Sequence, residues 1–191
     1  MKLRERALEL MHEWTETENL RKHMLAVESA LVACARKYGE DEDLWAATGI
    51  LHDFDYEKHP EAGPDGHPAV GVRYLREQGW PEELCHAIMA HADYPGAPPR
   101  DTLLARALYA CDEITGLITA AVLVRPDRDI RQLKLSSVRK RYRSRGFAAG
   151  VNREDVERGA AELGEDLWDH IAFVVEAMQA NAARLGLAGN G

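Results

Sequence analysis

The chain has 191 residues, 46% of them hydrophobic and 29% charged, with 15 Gly and 8 Pro, which excludes a collagen-like, low-complexity or disordered chain. A chain of this length buries about 70% of its unfolded surface, enough for one core and too little for two. Lys and Arg number 24 against 32 Asp and Glu, and the resulting net charge of −8 argues against general attraction to nucleic acid or anionic membrane.

In chain order, Leu3, Ala7, Leu10, Met11 and Trp14 recur at helical spacing and predict a first amphipathic helix. A second follows Thr15 or Thr17, with Leu20, His23, Val27, Leu31 and Cys34 on one face, and stops at Gly39. Asp41 or Asp43 caps a third carrying Leu44, Ala47, Thr48, Leu51 and His52. A polar loop from Phe54 to Gly66 leads to His67-Pro68, which reads as the N-cap and first residue of a fourth helix ending at Gly79. Pro81 opens a fifth with Leu84, Ile88 and His91 on its apolar face. After a turn at Tyr94-Pro95-Gly96, a long helix runs from about Asp101 to Val124, with Leu104, Leu108, Cys111, Asp112, Thr115 and Ile118 on one side. Asn152 caps another, and Leu167, Ile171, Val174, Val175 and Met178 mark the last.

No strand-period run of convincing length and no repeat appears, so the expected fold is all-α, a globular bundle of about eight or nine helices. The apolar run Leu117–Val124 falls far short of the roughly 20 residues of a membrane span. The N-terminus alternates charge with apolar residues and lacks a secretory pattern, so a cytoplasmic location is expected. Cys34, Cys85 and Cys111, none in a C-x-x-C pair, read as reduced core thiols.

Charge is uneven along the chain. Between Arg125 and Arg145 nine basic residues face only Asp127 and Asp129, so this segment carries +7 and the remainder −15. A solvated helix face with a loop explains such a run, and so does an anion-binding wall.

Ionisable residues at inward positions carry the functional signal, because a buried charge costs several kcal/mol unless paired or bound to a metal. His23 points where the core of its helix belongs, Asp112 lies four residues after Leu108, and His52 ends the apolar stripe of the third helix beside Asp53. Together they form a mixed imidazole and carboxylate set suited to a divalent ion.

At these positions the chain resembles the HD-domain superfamily of metal-dependent phosphohydrolases, an all-helical family whose signature is a His, a His-Asp doublet and a distant Asp. The resemblance covers about residues 15–125 of a single domain of 1–191, with 126–191 as a helical extension. It implies His23, His52, Asp53 and Asp112 as metal ligands. His67 and His91 stand in the order of subfamilies with two ions, where the doublet aspartate bridges. One or two divalent ions are therefore expected, from among Mn, Fe, Co, Ni, Mg and Zn. Phe147–Glu154 is similar to the C-terminal part of an uncharacterised branch of predicted HD hydrolases.

The activity implied is hydrolysis of a small phosphorylated molecule, such as a nucleotide or phosphate ester, by a metal-activated water. Asp53, Asp55 and Lys58 are the expected catalytic residues; Lys134, Arg139, Lys140 and Arg141 are the expected phosphate contacts. Glu57 is placed to orient a ligand. Tyr56 stands where alarmone hydrolases have Glu and dinuclear nucleotidases have Lys, which argues against both branches. Two other readings share the ligands: a mixed-valent di-iron HD-domain oxygenase and a non-catalytic metal- or nucleotide-binding module. His12, His86 and His170 are expected at the surface, and neither a membrane nor an extended nucleic acid is expected as partner.

Overall fold

In the computed structural model, residues 2–94 and 96–189 are described; Met1 and Pro95, at the start of the N-terminal stretch and in the expected turn, lie outside them. Nine α-helices are present among the described residues: α1 (Leu3–Trp14), α2 (Glu18–Tyr38), α3 (Glu42–Leu51), α4 (Ala69–Glu77), α5 (Glu82–Ala90), α6 (Leu103–Leu123), α7 (Leu135–Arg143), α8 (Arg153–Leu163) and α9 (Leu167–Gln179). The fold is all-α, as the helical periodicity predicts. None of the described helices is long and apolar enough to cross a membrane.

The chain divides into two compact units, Met1–Tyr109 and Ala110–Gly191, with the boundary inside α6.

In the first unit α3 is the central element. Asp41 caps it by accepting from the backbone N–H groups of Asp43 and Leu44, and from Trp45 to Leu51 every residue is buried. An apolar helix without a polar face belongs in the middle of a bundle, and α3 packs on α1, α2 and α5. It approaches α2 closely at Gly49, where a Cβ would stand 2.6 Å from the Glu28 Cα. A second tie joins α1 to α2, the ion pair from Arg4 Nε to the buried Glu28 Oε1 at 2.6 Å.

Beyond α3 the chain makes a tight turn, with Tyr56 N–H donating to the Asp53 carbonyl at 3.0 Å. Phe54 is buried in that turn against Trp14, ring centroids 5.0 Å apart. Two two-residue strands, β1 (Ala62–Gly63) and β2 (His67–Pro68), pair in parallel and fold the following loop back on itself. His67 donates its N–H to the His59 carbonyl at 2.8 Å. His67-Pro68 therefore does not open α4 as the sequence suggests; β-pairing fixes His67, and the helix starts at Ala69.

In the second unit α9 packs on α7 and α8. The pass along the sequence leaves α7 unassigned within the basic segment, although Val138 and Tyr142, its buried residues, are four apart. A short 3-10 turn, Ile130–Gln132, precedes it. The three cysteines are free and buried as expected, and burial pushes the Cys85 thiol up to about 11.

Gly49→Ala forces its new methyl group against the α2 backbone, which cannot yield as a flexible side chain would. It is expected to cost about 1–3 kcal/mol, read as a lower urea midpoint at an unchanged slope.

Candidate metal centre

His23 comes from α2, His52 is the C-cap of α3 with Asp53 next to it, His67 lies on β2, and His91 is the C-cap of α5. The first unit brings these five side chains together. His52, His67 and His91 are buried, while His23 and Asp53 keep part of their surface open.

Hydrogen bonds decide which ring nitrogens face inward. His52 Nδ1 lies 2.9 Å from the Gly49 carbonyl and His91 Nδ1 lies 2.6 Å from the Ile88 carbonyl. A carbonyl only accepts, so both Nδ1 atoms carry a proton and the Nε2 atoms are the ring nitrogens turned to the cluster. His67 Nδ1 likewise donates to Asp55 Oδ1 at 2.7 Å, which turns its Nε2 to the cluster.

The Nε2 atoms are crowded. His67 Nε2 and His91 Nε2 are 3.3 Å apart, and His52 Nε2 is 3.2 Å from His23 Nε2. Two lone pairs at such a distance repel unless positive charge stands between or beside them. Asp53 lies across both pairs: Oδ1 is 3.2 Å from His67 Nε2 and 3.5 Å from His91 Nε2, and Oδ2 is 3.4 Å from His52 Nε2 and 3.7 Å from His23 Nε2.

The donor set fits divalent ions. Two nitrogens about 2.1 Å from one ion stand about 3.0 Å apart at a right angle and about 3.4 Å apart at a tetrahedral one, and the observed spacings fall in that interval. Asp53, His67 and His91 each offer one ligand atom within 4.8 Å of the others. The protonation balance points the same way. Burial works to raise the Asp53 carboxyl, but the His52 charge and hydrogen bonds from His52, His67 and His91 hold it well below the usual carboxylate range. Burial pulls the His67 imidazole down, yet Asp53 and Asp55 push it up to about 9. Carboxylate charge at this spot demands a cation, and histidine protons supply one when no metal does.

Behind the ligands, Asp55 is fully buried. One oxygen holds His67 and the other accepts from Gly71 N–H at 2.7 Å. Gly71 allows that approach, because a Cβ there would lie 2.6 Å from the Asp55 carboxyl carbon. Glu57 ties the Asp53 turn to α2, accepting from Glu16 N–H at 2.6 Å, from Thr17 N–H at 2.9 Å and from the Thr17 hydroxyl.

Of the expected catalytic trio, only Asp53 faces the cluster. Asp55 has both oxygens engaged, one by His67 and the other by Gly71 N–H. Lys58 is exposed, its ammonium 4.6 Å from the centre of the Trp14 ring, and the cluster forms without it. Glu57 is engaged by the backbone N–H groups of Glu16 and Thr17 just ahead of α2. Asp112 stands on α6 in the second unit, half-buried, its carbonyl accepting from the Thr115 hydroxyl. Lys134, Arg139, Lys140 and Arg141 are also in the second unit, at the N-cap of α7 and along it.

Sequence reasoning missed the hold of Asp55 on His67, whose signal is a His-Asp-x-Asp run before a further His. It also misplaced His170, which is buried with Nε2 donating to the Ala110 carbonyl at 2.8 Å. Tyr56 remains exposed, its ring centroid 5.3 Å from that of His67.

Comparison with known proteins is consistent with this centre. The HD domain family matches residues 20–117, just over half of the chain. Ribonuclease Y of Lawsonia intracellularis is 26% identical over 162 residues, 83% of this chain and 31% of that protein. Ribonuclease Y of Oleidesulfovibrio alaskensis is 28% identical over 109 residues, 56% of this chain and 20% of that protein. The chain thus matches between a fifth and a third of the length of these curated relatives. No solved structure matches.

Asp55→Asn places an amide opposite the proton on His67 Nδ1 or breaks the bond to Gly71. Metal affinity is expected to fall about 10- to 100-fold with helicity retained, measured by competition with a chromogenic chelator.

Proposed function

The chain belongs to the HD-domain family, and from that membership and its five-residue cluster we propose that it is a metal-dependent phosphohydrolase with two divalent ions. The observation that carries this reading is Asp53, whose two oxygens each face a different histidine pair. His23 and His52 would hold one ion, His67 and His91 the other, and Asp53 both. Asp112 is proposed as the remaining ligand on its order in the sequence alone. The substrate proposed is a small phosphorylated molecule, such as a nucleotide or phosphate ester; the name of the relatives adds the phosphodiester bonds of RNA to the substrates worth testing.

Bound at this cluster, the ions would supply Lewis acidity and a water acidic enough to attack phosphorus near neutral pH. The chain's own residues prepare that chemistry. Gly49, Ile88 and Asp55 fix three imidazoles in the tautomer that offers Nε2 inward, so no tautomer change is needed when an ion arrives. Asp53 balances positive charge from within the cluster, and the open surface of His23 and Asp53 gives the substrate its side of approach. Tyr56, exposed with its ring next to that of His67, is available to meet a substrate.

The test is elemental analysis of untagged protein, followed by an aryl phosphate assay with Mn²⁺. Two ions per chain and release of phosphate are expected. Asp53→Ala is expected to abolish metal retention and activity together, and an Asp53→Ala protein with full activity would overturn the assignment. His67→Ala or His91→Ala is expected to lower the count to one ion per chain while circular dichroism stays unchanged. Iron in the purified protein with oxygen uptake, and no phosphate release, would point to oxidation instead.

A further inference from the structure

Within the second unit, from Arg131 to Arg153, eight Lys and Arg residues occur and no Asp or Glu. Two of them are committed. Arg131 pairs with Asp129 at 2.7 Å, and the Arg153 guanidinium donates to the carbonyls of Phe147, Ala148 and Val151. The other six, Lys134, Arg139, Lys140, Arg141, Arg143 and Arg145, form no ion pair among the described residues. That contrasts with Arg125 and Arg158 in the same unit, each held by a neighbouring carboxylate.

These six are also arranged. Val138 and Tyr142 turn one side of α7 into the core, and all but Arg139 of the six are exposed. Ser136, Arg139, Lys140 and Arg143 follow at i, i+3, i+4 and i+7, a single stripe about 10 Å long. With Leu135 they line a hollow of about 400 Å³ that contains no carboxylate. Arg139 is braced over the Trp168 ring at 4.4 Å and Arg141 over Phe147 at 4.9 Å, which limits the freedom lost on binding. Arg139 Nε is buried without a hydrogen-bond partner. Arg143 also lines a neighbouring hollow of about 500 Å³, where Glu154 and Glu157 stand and set an acidic limit on that side.

We propose that the α7 stripe, with Lys134, Arg141 and Arg145 beside it, is a docking surface for the phosphate backbone of a single nucleic-acid strand. Four of the six cations are arginines, whose planar forks match phosphate oxygens, and Ser136 adds a neutral donor. The stripe is longer than one phosphate needs, which favours a chain of them. A helix that lies on a membrane presents a broad apolar face to it, whereas Val138 and Tyr142 of α7 are buried in the unit and Leu135 alone is left half-exposed. The expectation drawn from net charge is thereby revised: −8 averages over the whole chain and hides a local cationic face. The proposal is independent of the hydrolase reading.

The test is fluorescence anisotropy of a labelled 12-nucleotide RNA of mixed sequence, with full-length protein in EDTA so that the strand is not cut. Saturable binding is expected at low salt, with log K falling against log salt at a slope of about −4 if all six cations neutralise a phosphate. The double reversal Lys140→Glu/Arg143→Glu is expected to weaken binding at least tenfold and to flatten the slope by about 1.4. The control Lys37→Glu/Arg73→Glu, an equal charge change in the first unit, is expected to alter binding less than twofold. Absence of binding by the wild-type protein at low salt overturns the proposal, as does equal loss in both double variants. Competition by poly-glutamate as strong as by unlabelled RNA, or preferential binding to anionic phosphatidylserine vesicles, also overturns it. Failure here leaves the metal count and phosphate release untouched, so the two readings fall separately.

Discussion

One carboxylate among four imidazoles sets the terms for the first unit. Asp53 lies within 3.2 to 3.7 Å of the Nε2 atoms of His23, His52, His67 and His91, and three of these rings are tied at Nδ1 to a backbone carbonyl or to Asp55. Such a cluster is unstable against its own charges unless a cation joins it. The cost of assembling it is borne by the surrounding hydrogen bonds, and the result is a cluster that could hold a metal ion.

The scaffold follows from that demand. Two of the histidines are helix C-caps, His52 on α3 and His91 on α5, where the chain leaves the helix and its last carbonyls are available to accept. Each ring donates to the carbonyl three residues back, Gly49 or Ile88, so the helix end both directs the ring and fixes its tautomer. His67 has no helix to do this. A loop folded by β1 and β2 delivers it, and Asp55, held by Gly71, takes over the part played elsewhere by a carbonyl. Gly49 and Gly71 thus serve the same end by different means, one letting α3 lie close to α2 and the other letting a backbone N–H reach a buried carboxylate.

Much of this was legible in the sequence, for a physical reason. Helix periodicity and caps are local, so α1 to α6, α8 and α9 follow from spacing and from residues such as Asp41 and Asn152. Inward-pointing His23 and His52 stood out because an apolar stripe makes a polar residue conspicuous. What failed depended on contacts distant in sequence or on weak local signals. His67-Pro68 looks like a helix start until the return of the loop from Ala62 captures it. Asp55 and Lys58 look alike as polar loop residues, and only the fold buries one behind His67 and seats the other on Trp14. His170 reads as a surface residue because its partner, the Ala110 carbonyl, is 60 residues away. The helix α7 was obscured by its charge, since a short segment with only two buried residues offers little periodicity.

Net charge misleads in both units, and for the same reason. In the first, Asp53 and Asp55 carry the negative charge that matters, and its effect on His67, moved up to about 9, depends on distances of 3.2 and 2.7 Å and not on the excess of acids in the chain. In the second, six cations without carboxylate partners lie along and beside one short helix of an acidic protein. Coulomb interactions weaken with distance and are screened within about 10 Å at moderate salt, so a ligand at α7 would meet those six charges at close range whatever the −14 summed over the remaining residues. Where a charge stands, and whether a neighbour already neutralises it, therefore decides what each unit can attract, and the net charge of the chain does not.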